Sequence, residues 1–327
     1  MTIPMPRRRL IAGSCALLAG VMLPAIAMAQ DKYPSKPVRV IVGLTPGGTA
    51  DTSVRMLTAT MQPSFGQTIV VENKPGANFQ IAMQAIAQAP ADGYTLMHMV
   101  SPVLAGQAVQ KRFDTFKTLT PVALLGTTDI TLVVGAKSPH KTIQDLIAWA
   151  KANPGKLTYA SPGIGSLEHL ALFSFCKRYG IDAVHVPYKG GPEMVQAVGT
   201  GEADLSTAAV PLVVQFGPKN LVRALVVLND KRSPALPDVP SLSEAKLDVA
   251  KLVIWGGLAV PVGTPKAVID QLEKQVLAAA DSPELRKQYQ GIGLTPTPAG
   301  AAVFGQLWKD DWAWISKAAT DAKLDTN

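Results

Sequence analysis

The sequence predicts an α/β protein in which a largely parallel β-sheet carries helices on both faces. Three observations predict this class. Short apolar runs rich in β-branched residues alternate with segments whose apolar residues recur at helical spacing, and turn residues separate the two. No flexible linker or internal repeat interrupts the alternation. The 327 residues are also enough for two domains with ordinary hydrophobic cores.

The predicted elements follow one another in a regular order. The first strand is predicted at 38–42, and the helix after it places Val54, Leu57 and Met61 on one face. Further strands are predicted at 68–73, 94–100, 157–161, 183–188, 203–210 and 222–228, and further helices at 78–89, 166–180 and 192–201.

Helix starts are marked by recognisable capping residues. Thr142 followed by Asp145 three residues later indicates a capping box. Thr264–Pro265 and Ser282–Pro283 each place a cap residue before a proline at the first helical position.

Two domains without a linker predict that the chain crosses between them on strands. The predicted crossings are 122–135 and 253–260, and the C-terminal helices then return to the first domain. The first lobe is accordingly predicted to contain residues 30–130 and 256–327, and the second lobe residues 131–255.

The N-terminus has the pattern of a secretory signal. Arg7–Arg9 precede a short apolar stretch that ends in Ala27-Met28-Ala29, a small-x-small cleavage site, which predicts a signal peptide over 1–29. The apolar stretch is short for a membrane span and is broken by Pro24, so a permanent anchor is not expected. Both the general and the twin-arginine export routes fit the arginine run.

The charge and the cysteine content argue against a nucleic-acid-binding protein and against an intramolecular disulfide. Loss of residues 1–29, which contain three arginines and no acid, lowers the net charge from +7 to +4. No concentrated stripe of Lys and Arg remains, so a nucleic-acid partner is not expected, and a weakly positive field suits small anions. Cys176 would be the one remaining cysteine, so no intramolecular disulfide is expected.

The turn between the first strand and helix, LTPGGTAD at 44–51, is a candidate anion site. Gly47 and Gly48 leave backbone N–H groups unshielded, and Thr45, Thr49 or Asp51 could cap the helix. A helix N-terminus carries partial positive charge and favours an anion. A tight turn that uses glycine only for its backbone freedom is the alternative.

A second turn repeats this construction in the second domain. In YASPGIGSLEHL, 159–170, a strand ends at Ser161, Gly163 and Gly165 follow, and Ser166 is the expected N-cap. Two such turns would place two positive helix ends on opposite walls of a cleft. Ser166 could instead be a cap without ligand contact.

The sequence lacks the residue patterns typical of nucleotide-binding, metal-binding and hydrolytic sites. Neither glycine turn ends in Gly-Lys-Ser/Thr or completes a dinucleotide fingerprint, so no cofactor is expected. The four dispersed histidines predict no metal site, and two of them, His98 and His185, are interpreted as core or rim residues. Ser161 with a distant histidine could mimic a hydrolase, but no G-x-S-x-G elbow occurs. No catalytic set is predicted.

Several longer stretches carry a family resemblance. VRVIVGLTPGGTADTSVRML, NPGKLTYASPGIGSLEHLAL, HVPYKGGPEMVQAVGTGEADL and KRSPALPDVPSL occur in this order, and the chain after its signal resembles the Bug family throughout. These proteins are periplasmic solute receptors of tripartite tricarboxylate transporters. The resemblance implies a type II periplasmic-binding-protein fold: two α/β lobes, two crossings and a ligand cleft. It also implies a periplasmic, non-enzymatic monomer that delivers its ligand to one large and one small membrane subunit.

The resemblance also implies which residues hold the ligand, usually an organic carboxylate. Both turns would bind one carboxylate through backbone amides and hydroxyls, whereas Asp51 is interpreted as a cap or turn-stabilising residue. The predicted ligand-binding residues are Thr45, Gly47, Gly48, Thr49, Ser101, Ser161, Gly163, Gly165, Ser166 and Lys189.

Departures from the family pattern bear on the ligand. Relatives often carry an acid that binds an amino group near Ala208–Val210, so its absence here argues against an amino acid. Apolar Val103, Leu104, Ala209 and Val210 favour a hydrophobic or aromatic ligand body, although Lys189 could indicate a second acidic group. A receptor for a signalling partner and, less strongly, a periplasmic serine hydrolase using Ser161 or Ser166 are the alternative functions.

Overall fold

One mixed β-sheet of ten strands runs through the protein in a computed structural model that describes residues 1–2 and 33–324. The predicted signal peptide lies outside the described residues apart from Met1 and Thr2. The strands are β1 (Val38–Val42), β2 (Ile69–Asn73), β3 (Thr95–Val100), β4 (Leu119–Gly135), β5 (Leu157–Ser161), β6 (Ala183–Pro187), β7 (Leu205–Ala209), β8 (Val222–Val227), β9 (Val253–Pro261) and β10 (Thr295–Gly300).

Eleven α-helices connect or flank these strands in the described part of the chain. They are α1 (Thr49–Phe65), α2 (Gln80–Ala87), α3 (Pro102–Gln110), α4 (Thr115–Thr118), α5 (Ile143–Ala152), α6 (Leu167–Tyr179), α7 (Gly191–Thr200), α8 (Val210–Phe216), α9 (Lys266–Ala280), α10 (Pro283–Gly291) and α11 (Ala301–Asp321). None of the described helices is both long and apolar enough to cross a membrane.

The prediction of a largely parallel sheet is corrected by the central strands. The pairs β1–β2, β1–β3, β5–β6 and β5–β7 are parallel, as strand–helix alternation requires. Strand β9 pairs antiparallel with β3 and β4, and β4 also pairs antiparallel with β7, β8 and β10. The alternation of strands and helices in the sequence predicts only strand–helix–strand units, whose strands are parallel. Strand β9 follows β8 after a segment without a helix, so this rule does not apply to its direction.

Strand β4 links the two halves of the sheet. Its residues up to Asp129 pair with β9 or β10, and from Ile130 onward they pair with β7 and β8. The observed β4 and β9 contain both predicted crossing segments. The division into lobes at 130/131 and 255/256 stays a prediction.

Helices cover both faces of the sheet, as predicted. In β1, Val40 belongs to a buried cluster with Leu57 of α1, whereas its neighbour Ile41 belongs to another cluster with Met83 of α2. Adjacent strand residues point to opposite faces, so each face has its own hydrophobic core. Apart from Arg39, the strand is therefore apolar instead of alternating.

Of the caps predicted at Thr142, Thr264 and Ser282, two are confirmed and one is wrong. Thr142 and Asp145 form the capping box of α5, and the Ser282 side chain accepts the Leu285 N–H at the start of α10. Thr264 does not cap α9, because its hydroxyl donates to the Pro261 carbonyl oxygen at 2.8 Å. Pro265 is extended and takes the cap position, so α9 begins at Lys266.

The C-terminal helix α11 anchors a tryptophan of β9. It packs on α3 and β4, and also on α6. The Asp311 carboxylate accepts the indole N–H of Trp255 at 2.6 Å and that of Trp314 at 3.1 Å. Trp255 also stacks on Trp308, with ring centroids 6.2 Å apart. One acidic side chain thus satisfies two indole donors in a largely apolar layer.

We expect Asp311→Ala to lower the free energy of unfolding by about 1–3 kcal/mol, because it leaves both indole donors without their acceptor. Urea unfolding followed by tryptophan fluorescence measures this loss. The neighbouring Asp310→Ala is a matched control, since Asp310 is exposed and accepts from the Gln306 amide. Equal losses in the two variants would contradict the anchoring role.

Candidate functional site

The first glycine turn is fixed by a buried carboxylate. Gly47 adopts φ +82°, and its N–H donates to Asp51 Oδ2 at 2.9 Å. Arg55 Nε and Asn73 Nδ2 donate to the same carboxylate at 3.0 and 2.9 Å. Burial opposes ionisation of Asp51, but these hydrogen bonds lower its pKa below the ordinary value. Asp51 is therefore a turn-stabilising residue, as interpreted from the sequence.

Gly48 is the N-cap of α1, and no side chain caps this helix. The expectation that Thr45, Thr49 or Asp51 caps it is wrong, since the Asp51 carboxylate is used by the turn. Gly48 has φ −74° and ψ 167°, which any residue can adopt. An added Cβ would meet only the Thr45 carbonyl oxygen, at 3.7 Å. Neither backbone strain nor packing thus requires glycine at 48, whereas the left-handed angle at 47 does.

This turn opens onto a cavity of about 490 Å³. Strands β3, β4 and β9 form its floor, and its walls come from the first turn, the start of α7, the β7–α8 junction and the segment between α10 and β10. Among the described residues that line it, none is Asp, Glu, Lys or Arg. A volume of this size accommodates a small organic molecule.

The N-termini of four described helices border the cavity, with Pro102 at the start of α3 and Ala209 and Pro211 at the start of α8 among the lining residues. Gly48, Thr49 and Ala50 at the start of α1 line one wall, and Gly191 and Pro192 at the start of α7 line another. Each N-terminus carries roughly half a positive charge. The cavity thus combines the partial positive charges of helix N-termini with a lining that contains no charged side chain, an arrangement that suits an anionic group.

The predicted first-turn residues lie at this cavity. Thr45, Gly48 and Thr49 line it, and Gly47 lies between them in the turn. Ser101 is fully buried at the start of α3, between the lining residues Val100 and Pro102, and its N–H donates to the Trp255 carbonyl oxygen.

The predicted residues of the second turn do not line the cavity. A Cβ on Gly165 would lie 3.1 Å from the Val109 side chain, so this turn packs against α3. Ser166 caps α6 by accepting the His169 N–H at 3.2 Å, which confirms its predicted capping role. Ser161, Gly163, Gly165 and Ser166 are absent from the cavity lining, as is Lys189, two residues before Gly191. Their ligand contacts stay predictions.

Ser161, where the second turn begins, hydrogen-bonds to His185 of the neighbouring strand β6. Ser161 Oγ lies 2.7 Å from His185 Nε2 and also accepts the Gly163 N–H at 3.2 Å. Ser161 is fully buried, and in the described chain no carboxylate hydrogen-bonds the His185 ring. The pair therefore holds the turn in place. No group of three or more potential metal ligands occurs among the described residues.

His98, interpreted from the sequence only as a core or rim residue, lines the cavity. It is 4 % exposed at the cavity floor, and no hydrogen bond of its ring is found in the described part of the chain. Burial lowers its pKa to about 4, opposed by the nearby Asp51 carboxylate, so the ring is neutral at neutral pH. The one sequence signal was a polar residue near the end of an otherwise apolar strand.

The apolar side chains predicted for the ligand body are only partly at the cavity. Ala209 lines it, whereas Val103 and Leu104 are fully buried in the core and Val210 borders a neighbouring groove. Leu125, Leu212, Ile254 and Trp255 supply apolar lining instead.

Comparison with known proteins identifies relatives over nearly the whole chain. A family model described as tripartite tricarboxylate transporter family receptor matches residues 53–317. A UPF0065 protein of Cupriavidus necator is 36 % identical over 91 % of this chain and 90 % of its own. BugT of Bordetella pertussis is 32 % identical over 98 % and 99 %. The resemblance to the Bug family is confirmed.

Solved structures share the fold. MatC of Rhodopseudomonas palustris with bound malate is 27 % identical with a TM-score of 0.72, covering 88 % of this chain and 99 % of its own. Rpa4515 of R. palustris with adipate is 27 % identical with a TM-score of 0.74, covering 90 % and 98 %. The periplasmic binding protein BugD is 27 % identical with a TM-score of 0.72, covering 89 % of this chain and 99 % of its own, which confirms the predicted α/β periplasmic-binding-protein fold.

Acid should destabilise the protein partly through His98. The unfolded chain takes up a proton near pH 6.5, whereas folded His98 does so only near pH 4. The free energy of unfolding therefore falls as the pH drops through this window, by up to about 3 kcal/mol from this residue. Urea unfolding from neutral pH to pH 4 should show a smaller fall for His98→Gln. An identical pH dependence in the variant would contradict the buried neutral state.

Proposed function

The chain belongs to the tripartite tricarboxylate transporter receptor family, and on that premise we propose that it binds a small organic carboxylate and delivers it to the membrane subunits of such a transporter. In this role it acts in the periplasm, after loss of residues 1–29, as a monomer that catalyses no reaction. The observation that carries the proposal is the uncapped start of α1, open to a cavity without acidic side chains.

Thr45, Gly47, Gly48 and Thr49 bind the carboxylate in this proposal. A helix N-terminus stabilises an anion by about 0.3–1 kcal/mol, or up to about 2 when partly buried. A micromolar affinity corresponds to about −8 kcal/mol, so direct hydrogen bonds and burial of the ligand body must contribute most of it. Malate and adipate, bound by two structural relatives, are both carboxylates and support this ligand class.

The ligand lies between two lobes in the proposed receptor. The first lobe contains residues 30–130 and 256–327, the second contains 131–255, and β4 and β9 act as the crossings. The start of α7 faces the carboxylate from the second lobe. The proposed further contacts are Ser101, Ser161, Gly163, Gly165, Ser166 and Lys189. Ser166→Ala tests the second turn, since reduced affinity with unchanged stability would indicate ligand contact.

Thermal unfolding with a panel of solutes tests the ligand class. Aromatic monocarboxylates, aliphatic dicarboxylates and citrate form one group, and amino acids and uncharged analogues of the same size form the controls. We expect the melting temperature to rise with at least one carboxylate and not with its amide analogue. Stabilisation by amino acids alone, or by no carboxylate, would overturn the proposal.

Gly48→Val should abolish stabilisation by the best carboxylate while leaving the unliganded melting temperature nearly unchanged. The backbone at 48 accepts a side chain, but the added methyl groups occupy the space where the anion meets α1. Gly48→Ala should give an intermediate loss of affinity. A graded loss from glycine through alanine to valine would show that the size of the side chain at 48 causes the effect. Calorimetric titration measures each affinity. Unchanged affinity in the valine variant would contradict ligand binding at the turn and leave it a purely structural role.

A further inference from the structure

The cavity has a polar floor residue that no described protein group satisfies. His98 is at least nine-tenths buried, lines the cavity, and has no hydrogen-bond partner for its ring among the described residues. A Cβ on Gly256, another floor residue, would lie 2.8 Å from His98 Nε2. Glycine at 256 therefore leaves room beside that nitrogen. The ring therefore has hydrogen-bonding capacity that a ligand in the cavity can use.

The rest of the floor is mostly apolar. Leu125, Ile254 and Trp255 contribute hydrophobic surface, and the Asp311 carboxylate holds the Trp255 indole in place. Thr128 is a second polar floor residue, and its hydroxyl already donates to the Gly293 carbonyl oxygen. A ligand body that fills this region gains most of its binding energy from burial of apolar surface.

Charge on the far part of the ligand meets no oppositely charged side chain among the described lining residues. A second carboxylate would lose its hydration without a cationic side chain in the lining, and His98 becomes cationic only near pH 4. An ammonium group would find no acidic lining residue. The nearby Asp51 carboxylate is already engaged by Gly47, Arg55 and Asn73.

We propose that the ligand is a monocarboxylate with an apolar body and an uncharged hydroxyl or carbonyl oxygen, and that His98 hydrogen-bonds this oxygen. The inference rests on the proposed carboxylate receptor and specifies its substrate class. The carboxylate meets the start of α1, the body lies over Trp255 and its neighbours, and the neutral oxygen meets the imidazole. His98 is thus a specificity-determining residue of the site.

Two matched ligand series test this assignment by calorimetric titration. Benzoate, 4-hydroxybenzoate and terephthalate differ only in the substituent opposite the carboxylate. Hexanoate, 6-hydroxyhexanoate and adipate repeat the comparison on a flexible chain. In the series that binds more tightly, we expect the hydroxy acid to bind about two- to tenfold more tightly than its parent. The dicarboxylate should bind at least about tenfold more weakly than the parent acid.

Variants of the floor assign the preference to His98. His98→Phe keeps a ring of similar size and should bind the parent acid normally while losing the preference for the hydroxy acid. His98→Gln retains neutral hydrogen-bonding groups and should recover part of it. Gly256→Ala, which places a methyl group against Nε2, should reproduce the loss without changing the imidazole.

The outcomes separate this inference from the proposed function. Tightest binding of terephthalate or adipate, or a hydroxyl preference that survives in His98→Phe, would overturn the inference and leave a carboxylate receptor. If none of the six acids binds, while another carboxylate raises the melting temperature, only the assigned ligand class is wrong. If no carboxylate of any kind binds, both proposals fall.

Discussion

The antiparallel pairing of β4 with β9 is the constraint on which the rest of the structure depends. This pairing runs from Leu119 to Asp129 on β4, and β4 then continues into pairs with β7 and β8. One long strand therefore joins both parallel units of the sheet. The same two strands, together with β3, provide the cavity floor, so the position of the site follows directly from how the sheet is assembled.

Glycine occurs at positions 47 and 48 of the first turn for different physical reasons. Gly47 needs a left-handed backbone angle so that its N–H reaches Asp51, whereas Gly48 has an ordinary backbone and open space around it. The buried Asp51 carboxylate fixes the turn from behind and leaves the start of α1 uncapped. The Asp51 carboxylate, which fixes the turn, thus lies close to the helix N-terminus that attracts an anion. Its oxygens already accept hydrogen bonds from Gly47, Arg55 and Asn73.

Local patterns in the sequence predicted the local parts of this site well. The turn at 44–51, the strand and helix around it, and the capping of α6 by Ser166 depend on residues close in the chain, which carry their own signals. The mixed sheet and the cavity floor were not predictable in this way. His98, Thr128 and Trp255 come from three strands far apart in sequence, and apolar periodicity indicates burial without indicating which buried residues border a cavity. Val103 and Leu104 show the same limit, because they have the expected character but pack in the core.

A crystal structure with the most tightly bound carboxylate tests the central claim most directly. The account predicts a ligand carboxylate oxygen within hydrogen-bonding distance of backbone N–H groups at Gly48 or Thr49, with the ligand body above Trp255. A carboxylate bound only at the turn from Ser161 to Ser166, or outside the cavity, would contradict it.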